Sequence, residues 1–348
     1  MNKRAITKKM NNKVNIGIEI LRMILSFWIL LVHCFRVRNK IQRKIIFIMR
    51  FHVPCFIIIS FYFYYKVIFK PDINKIKQRF LRLLIPYLVW PFIIIVIKTT
   101  INLFAKGEFD RKIIIKNLIY QFVFGRKILP VFWFQFSIII LTLIVTIISL
   151  IFKTEFLFII QILAILEYYL QYSLKYYYFL KNYKTFISNS LGMALEMIPF
   201  TASGMTCGYY SLINLLKNRK KKSIIFGLIF FIFIFFSKRD VMMEPKKFFL
   251  YPGIILNIGG IFLFIIFGLI PFELIKNKVL IIILRQITKY TGGIYYLHWV
   301  IRDCLKVYIL LIRKRSFLGC IIIYMFCYFI CLIGNFIFSN TKLKFLFN

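Results

Sequence analysis

Residues 16–35 read IGIEILRMILSFWILLVHCF, and this stretch decides which solvent the chain is built for. A helix crosses the hydrocarbon layer of a membrane with about 20 apolar residues. Here only Glu19, Arg22, Ser26 and His33 interrupt an otherwise apolar run of that length. Similar runs recur to the end of the chain, as in IIFGLIFFIFIFF at 224–236. Of the 348 residues, 61% are hydrophobic and 17% charged, against about 45–50% and about 25% in an ordinary soluble domain. A string of soluble domains is therefore excluded. Ten spans are expected, at 16–35, 46–65, 80–98, 132–152, 155–173, 190–212, 223–237, 249–270, 290–311 and 317–339. Pro54, Pro86, Pro91 and Pro199 fall in or near them, where proline kinks a helix or frees a carbonyl. The runs lack the alternation of a membrane barrel. The expected fold is all-α, a polytopic integral-membrane bundle of about ten transmembrane helices. One transmembrane domain at 16–340 lies between a basic N-terminal tail, 1–15, and a short C-terminal tail, 341–348.

Lys and Arg number 49 against 11 Asp and Glu, a formal charge of +38. The basic residues form short clusters between apolar runs, with no module to gather them on nucleic acid, so no nucleic-acid partner is expected. Anionic lipid head groups, or an anionic substrate, suit that placement. Lys and Arg tie between the two sets of connections, so loop charge does not choose an orientation. Seven cysteines show no CxxC pair and no zinc spacing, and read as small buried hydrophobes. The basic start, MNKRAITKKMNNK, precedes a long apolar run without a clear small-residue cleavage site, which reads as a retained first helix.

Arg22 and His33 lie eleven positions apart, which leaves them within about 20° of one helix face and about 16 Å apart along the axis. Glu19 and Ser26 fall near the same stripe. Ionisable groups inside a membrane face protein or a watery cavity, because lipid exposure is expensive. The stripe is either a polar pocket wall or a set of interfacial anchors, with His33 beside Arg36 and Arg38. Two other histidines compete. His52 heads the second span, and His298 lies in YTGGIYYLHWVIRD ahead of Arg302 and Asp303. Those three make either a small hydrogen-bonded network or an interfacial belt. No histidine has ligand spacing, so no metal is expected. After the second span, Arg79 and Arg82 sit three apart on one helix face, with Lys75 and Lys77 nearby. Two guanidinium forks at the lip of a span suit phosphate groups, and a head-group anchor is the alternative.

Arg22 and His33 with ten residues between them resemble the signature of the membrane acyltransferase-3 family of O-acyltransferases. Arg79-Phe80-Leu81-Arg82 before LLIPYLVW resembles that family's Arg-x-x-Arg motif and its following Pro-Tyr. His52-Val53-Pro54 with FIIISFYF, Phe132-Trp133-Phe134, Pro199-Phe200 with Gly204 and Gly208, and Gly293-Ile294-Tyr295-Tyr296-Leu297-His298 follow in order across about residues 14–340. Phe61 stands where the family usually has glycine after FIIIS, and close helix packing is expected at that point. The chain also lacks the soluble esterase-like domain of some relatives.

The resemblance implies transfer of an acyl group, acetyl or alternatively succinyl, from acyl-coenzyme A to a hydroxyl of a glycan or cell-surface polysaccharide. It implies a bacterial plasma membrane with the N-terminus cytoplasmic and lipids as neighbours. The catalytic set it implies is His33, Arg22 and His298. His33 is the general base, Arg22 organises the site, and His298 supports it. Arg79 and Arg82, with Lys75 and Lys77, would hold the donor's phosphates. The competing reading is a transporter or exporter of a lipid-linked or polysaccharide substrate without acyl chemistry. Absence of recognisable inverted repeats weighs against it.

Overall fold

The computed structural model describes residues 15–36, 42, 52–106, 111–124, 132–153, 155–172, 186–237, 253–269, 278–306 and 308–347. Among these residues every regular element is helical. In chain order they are α1 (Ile16–Cys34), α2 (His52–Phe69), α3 (Ile73–Lys106), α4 (Arg111–Phe124), α5 (Phe132–Phe152), α6 (Phe156–Tyr172), α7 (Phe186–Glu196) and α8 (Ile198–Tyr209). There follow α9 (Leu212–Leu216), a 3-10 turn at Lys217–Arg219, α10 (Lys220–Ser237), α11 (Gly253–Leu269), α12 (Lys278–Lys289), α13 (Thr291–Leu305), α14 (Leu310–Arg313) and α15 (Phe317–Ile337). A 3-10 turn, Lys342–Leu346, closes the chain.

Five of these are long and apolar enough to cross a membrane unaided: α1, α2, Ile73–Ile97 of α3, α5 and α15. That is fewer than the ten expected, for local reasons. The run 190–212 is broken at Met197, where Pro199 enters the first turn of α8 without an N–H to extend the preceding helix. The run 290–311 yields only the 15 residues of α13, which carries Arg302 and Asp303 in its last turn. Helices α6 and α11 have 17 residues each, about 25 Å of rise. Helix α10 begins inside the Lys220–Lys222 cluster.

Helix α3 starts at Ile73 rather than at 80. Asp72 caps it, accepting the Lys75 backbone N–H at 3.2 Å and the Lys75 ammonium at 2.9 Å. The Lys75 side chain, and after it the Lys75 N–H, holds the Asp72 carboxyl below its ordinary range. Arg79 and Arg82 therefore sit two to three turns inside a helix, and not at its lip. Pro86 and Pro91 lie within α3, whereas Pro54 occupies the first turn of α2, where a missing N–H is harmless.

Helix α1 is the wall shared by two apolar clusters. Ile18, Leu21 and Leu25 pack with α2, α5, α6, α8 and α11. Leu30, Leu31 and Cys34 pack with α3, α13, α15 and the closing turn. Leu346 and Phe347 are buried there, so the C-terminal segment belongs to the second cluster. Polar staples cross the first cluster. Asn257 of α11 donates to Tyr168 Oη (2.7 Å) and to the Pro199 carbonyl (3.2 Å), and Gln161 of α6 donates to Thr206 of α8.

Helices α2 and α8 pack backbone against backbone. A Cβ on Gly204 would lie 2.5 Å from the Ile58 carbonyl oxygen, and one on Gly208 would lie 2.7 Å from Tyr65 Cβ. Glycines four apart let two backbones approach in this way. The same Gly204 Cβ would be 3.1 Å from Phe61 Cβ, and Phe61 is fully buried. The close approach expected near position 61 is thus present, with the small residue on the opposite helix. Gly204→Val is expected to destabilise the protein by about 1–3 kcal/mol through overpacking. A lower thermal unfolding midpoint of the detergent-solubilised variant checks this.

Candidate active site

Helix α1 carries the site and is fastened at both ends. At its start, Asn15 Oδ1 accepts the Ile18 N–H (3.3 Å) while its Nδ2 donates to the Gly268 carbonyl at the end of α11 (2.6 Å). Glu19 in the first turn suits the positive end of the helix dipole. Arg22 Nη1 lies 3.3 and 3.4 Å from the two Glu19 oxygens, and Nη2 donates to Thr291 Oγ1 at 3.3 Å. One turn on, Ser26 Oγ donates to the Met23 carbonyl and meets Tyr324 Oη of α15 at 3.1 Å.

The other end is held by arginines. The His33 carbonyl accepts from Arg302 Nη1 (3.3 Å) and from Arg315 Nη2 (2.8 Å), and the Cys34 carbonyl accepts from Arg315 Nε (3.1 Å). The last carbonyls of a helix lack intrahelical donors, and cations are favourable there. The Arg36 N–H returns a bond to the Arg315 carbonyl at 2.9 Å. Arg315 takes φ 52°, a left-handed conformation that costs a non-glycine residue energy. Arg22 meets Thr291 and His33 meets Arg302, each pair 269 positions apart. Helices α1 and α13 therefore run parallel and in register over those eleven residues.

This register sets the histidines against each other. The His33 and His298 rings stack with centroids 5.5 Å apart and planes 25° apart, and Trp299 touches His33 at 5.7 Å. His298 is 1% exposed, while His33 is only half-buried. The carbonyls of Ile294 and Tyr295 lie one turn back, but neither His298 nitrogen forms a hydrogen bond of normal geometry among the described residues. The Trp299 indole N–H is buried without a partner in the same sense. The Arg302 guanidinium lies 3.9 Å above the Trp299 ring, and its Nε and Nη2 donate to Asp303 at 3.1 and 2.9 Å. An Arg–Asp network does form, but His298 joins it by ring contact with His33 and not by hydrogen bonds.

The basic residues of α3 diverge. Arg79 turns into the bundle, where Nη2 donates to Ser60 Oγ (2.9 Å) and Thr142 Oγ1 (3.4 Å) and Nη1 to the Ser60 carbonyl (3.5 Å). Its guanidinium lies 4.2 Å from the Tyr64 ring and 5.3 Å from that of Phe61. Arg82 is exposed over the Phe345 ring at 5.5 Å. Lys77 is exposed, and Lys75 is exposed beside Asp72. His52 is buried at the start of α2. Among the described residues no group of three His, Cys, Asp or Glu side chains gathers to hold a metal.

Trp299, Arg315, Arg313 and Lys306 were not singled out from the sequence. The last three lie with Arg302, Asp303 and Ile312 around a cleft of about 240 Å³ at the His33 end of α1. The available signal was the basic group Arg313-Lys314-Arg315 between the last two apolar runs, which reads as ordinary loop charge until α13 is known to pair with α1.

No curated protein and no solved structure matches this chain. The acyltransferase domain that defines the acyltransferase-3 family, linked to membrane acyltransferases acting on glycans, matches residues 15–340. Since that stretch runs from the Asn15 cap through the end of α15, the chain belongs to the acyltransferase-3 family.

Proposed function

We propose that this protein transfers an acyl group, acetyl in the first instance and succinyl as the variant donor, from acyl-coenzyme A to a hydroxyl of a glycan or cell-surface polysaccharide. The observation that carries the reading is the stacked His33–His298 pair beside the double arginine clamp on the His33 carbonyl. A histidine fixed by its backbone and wedged between two rings is held in one orientation, which general-base work requires. A buried polar atom without a partner calls for an explanation, and a place beside the proposed base supplies one for the His298 nitrogens and the Trp299 N–H.

In this mechanism a nitrogen of His33 takes the proton of the acceptor hydroxyl as its oxygen attacks the thioester carbonyl. The new C–O bond forms, the C–S bond breaks, and the proton passes to the departing coenzyme A sulfur. His298 positions the His33 ring. Arg22, about 16 Å away along α1, organises the site by bracing that helix through Glu19 and Thr291 and does not touch the reacting atoms. Arg82, Lys77 and Lys75 lie exposed along the first three turns of α3 and supply cations for the donor's phosphates, an oxyanion set that lysine and arginine suit. Arg79, with its Nη atoms already bonded to Ser60 and Thr142, aligns that helix.

The catalytic unit is 16–340, between the two tails. The protein lies in the plasma membrane of a bacterium with its N-terminus cytoplasmic, as members of the family usually do. The parallel packing of α1 and α13 means that both helices run through the bundle in the same direction.

His33→Ala is expected to lower acyl transfer at least about a hundredfold while the protein still binds acetyl-coenzyme A. Coenzyme A release and label transfer in lipid nanodiscs check this. Arg79→Ala is expected to lose about 1.5–3 kcal/mol of stability, as removal of charge-assisted hydrogen bonds does. Arg82→Ala stays within about 0.5 kcal/mol and instead raises the KM for acetyl-coenzyme A. Unfolding midpoints and steady-state kinetics on the two variants separate these roles.

A further inference from the structure

We infer that the cleft at the C-terminal end of α1 binds an oxyanion, a carboxylate or phosphodiester, on the acceptor glycan, so that the enzyme takes an acidic glycan rather than a neutral one. The inference deepens the proposed reaction and rests on His33 as its base. Arg302, Lys306, Arg313 and Arg315 line the cleft with Asp303 as its one carboxylate, and buried Ile312 is its apolar wall. Asp303 is already engaged by Arg302 and Lys306. Two guanidinium groups also cap α1, but Arg315 Nη1 takes no part in those bonds. The Arg313 side chain has no hydrogen-bond or ion-pair partner among the described residues and is exposed. Cationic capacity therefore exceeds what the fold consumes. A cleft of one sign with low-dielectric walls concentrates opposite charge.

Position selects the ligand. Arg302 and Arg315 both bond the His33 carbonyl, and Arg302 stacks on the tryptophan that touches the His33 ring. An anion seated there lies beside the base and brings a hydroxyl of the same sugar unit to it. The donor's phosphates do not fit this position, because the pantetheine arm holds them many bonds from the thioester that must reach His33. About 240 Å³ accommodates a charged group and part of a sugar ring, less than a drug-sized ligand needs.

The test uses full-length protein in phosphatidylcholine nanodiscs and fluorescent tetragalacturonate, glycerol-phosphate tetramer and maltotetraose. At least one charged probe is expected to bind where maltotetraose does not, which also tells carboxylate from phosphodiester. Its Kd is expected to rise about tenfold in the Lys306→Gln/Arg313→Gln double variant, in which both altered side chains are exposed and neither caps α1. Binding is expected to persist when a third of the lipid is phosphatidylglycerol. The inference is overturned if both charged probes bind no better than maltotetraose, or if the double variant binds as the parent does. Abolition by phosphatidylglycerol would reassign the cleft to lipid head groups, and displacement by the nucleotide portion of coenzyme A would reassign it to the donor. The two readings fail separately. His33-dependent transfer to maltotetraose would keep the acyltransferase and remove the anion site. Cleft-dependent probe binding without any transfer would keep the anion site and remove the reaction.

Discussion

Both ends of α1 carry backbone groups that the rest of the fold must satisfy. A helix leaves its last carbonyls without donors, and a buried backbone group left unpaired costs about as much as a lost hydrogen bond. Arg302 and Arg315 meet that requirement at His33 and Cys34, while Asn15 and Arg22 tie the other half of α1 to α11 and α13. Because both α13 contacts share one register, a one-residue slip would break them together. It would also rotate the His33 ring away from His298 by about 100°. The placement of His33 against His298 thus follows from how α1 is capped.

The same helix divides the apolar interior. Its first half belongs to the cluster with α2, α8 and α11, and its second half to the cluster with α3, α13, α15 and the C-terminal turn. Arg79 links α3 to α2 and α5 through Ser60 and Thr142. A buried guanidinium is costly unless it is compensated, and here the Nη atoms find Ser60 and Thr142 while the Phe61 and Tyr64 ring faces lie against the cation. Phe61 therefore has two neighbours that explain it. It supplies a ring for Arg79, and Gly204 across the α2–α8 contact gives up the volume that a glycine at 61 would have left.

Charge has a different meaning at each level of the molecule. The excess of Lys and Arg along the chain separates into exposed cations, such as Lys77 and Arg82, and cations that the fold uses. Arg22, Arg79, Arg302 and Arg315 are of the second kind, and each holds at least two partners at once. Arginine suits that work because its fork presents several donors in one plane.

Much of this was legible from the residues alone. Apolar runs of membrane length specify helices wherever they occur, since no other open structure satisfies a backbone in lipid. The eleven-residue spacing of Arg22 and His33 put both on the face that meets α13. Gly204 and Gly208 stood out only through the family resemblance. Local pattern overcounted the long spans, because proline at 199 and the charged end of α13 interrupt runs that hydropathy alone joins. It also drew Arg79 and Arg82 as one phosphate fork, where packing sends one inward to Ser60 and leaves the other on the surface. The pairing of α1 with α13, the stack of His33 on His298 and the use of Arg315 as a cap all join residues more than 260 positions apart. A sequence pattern carries spacing within a helix, while contact between helices depends on which faces the whole bundle brings together, and that only the tertiary structure decides.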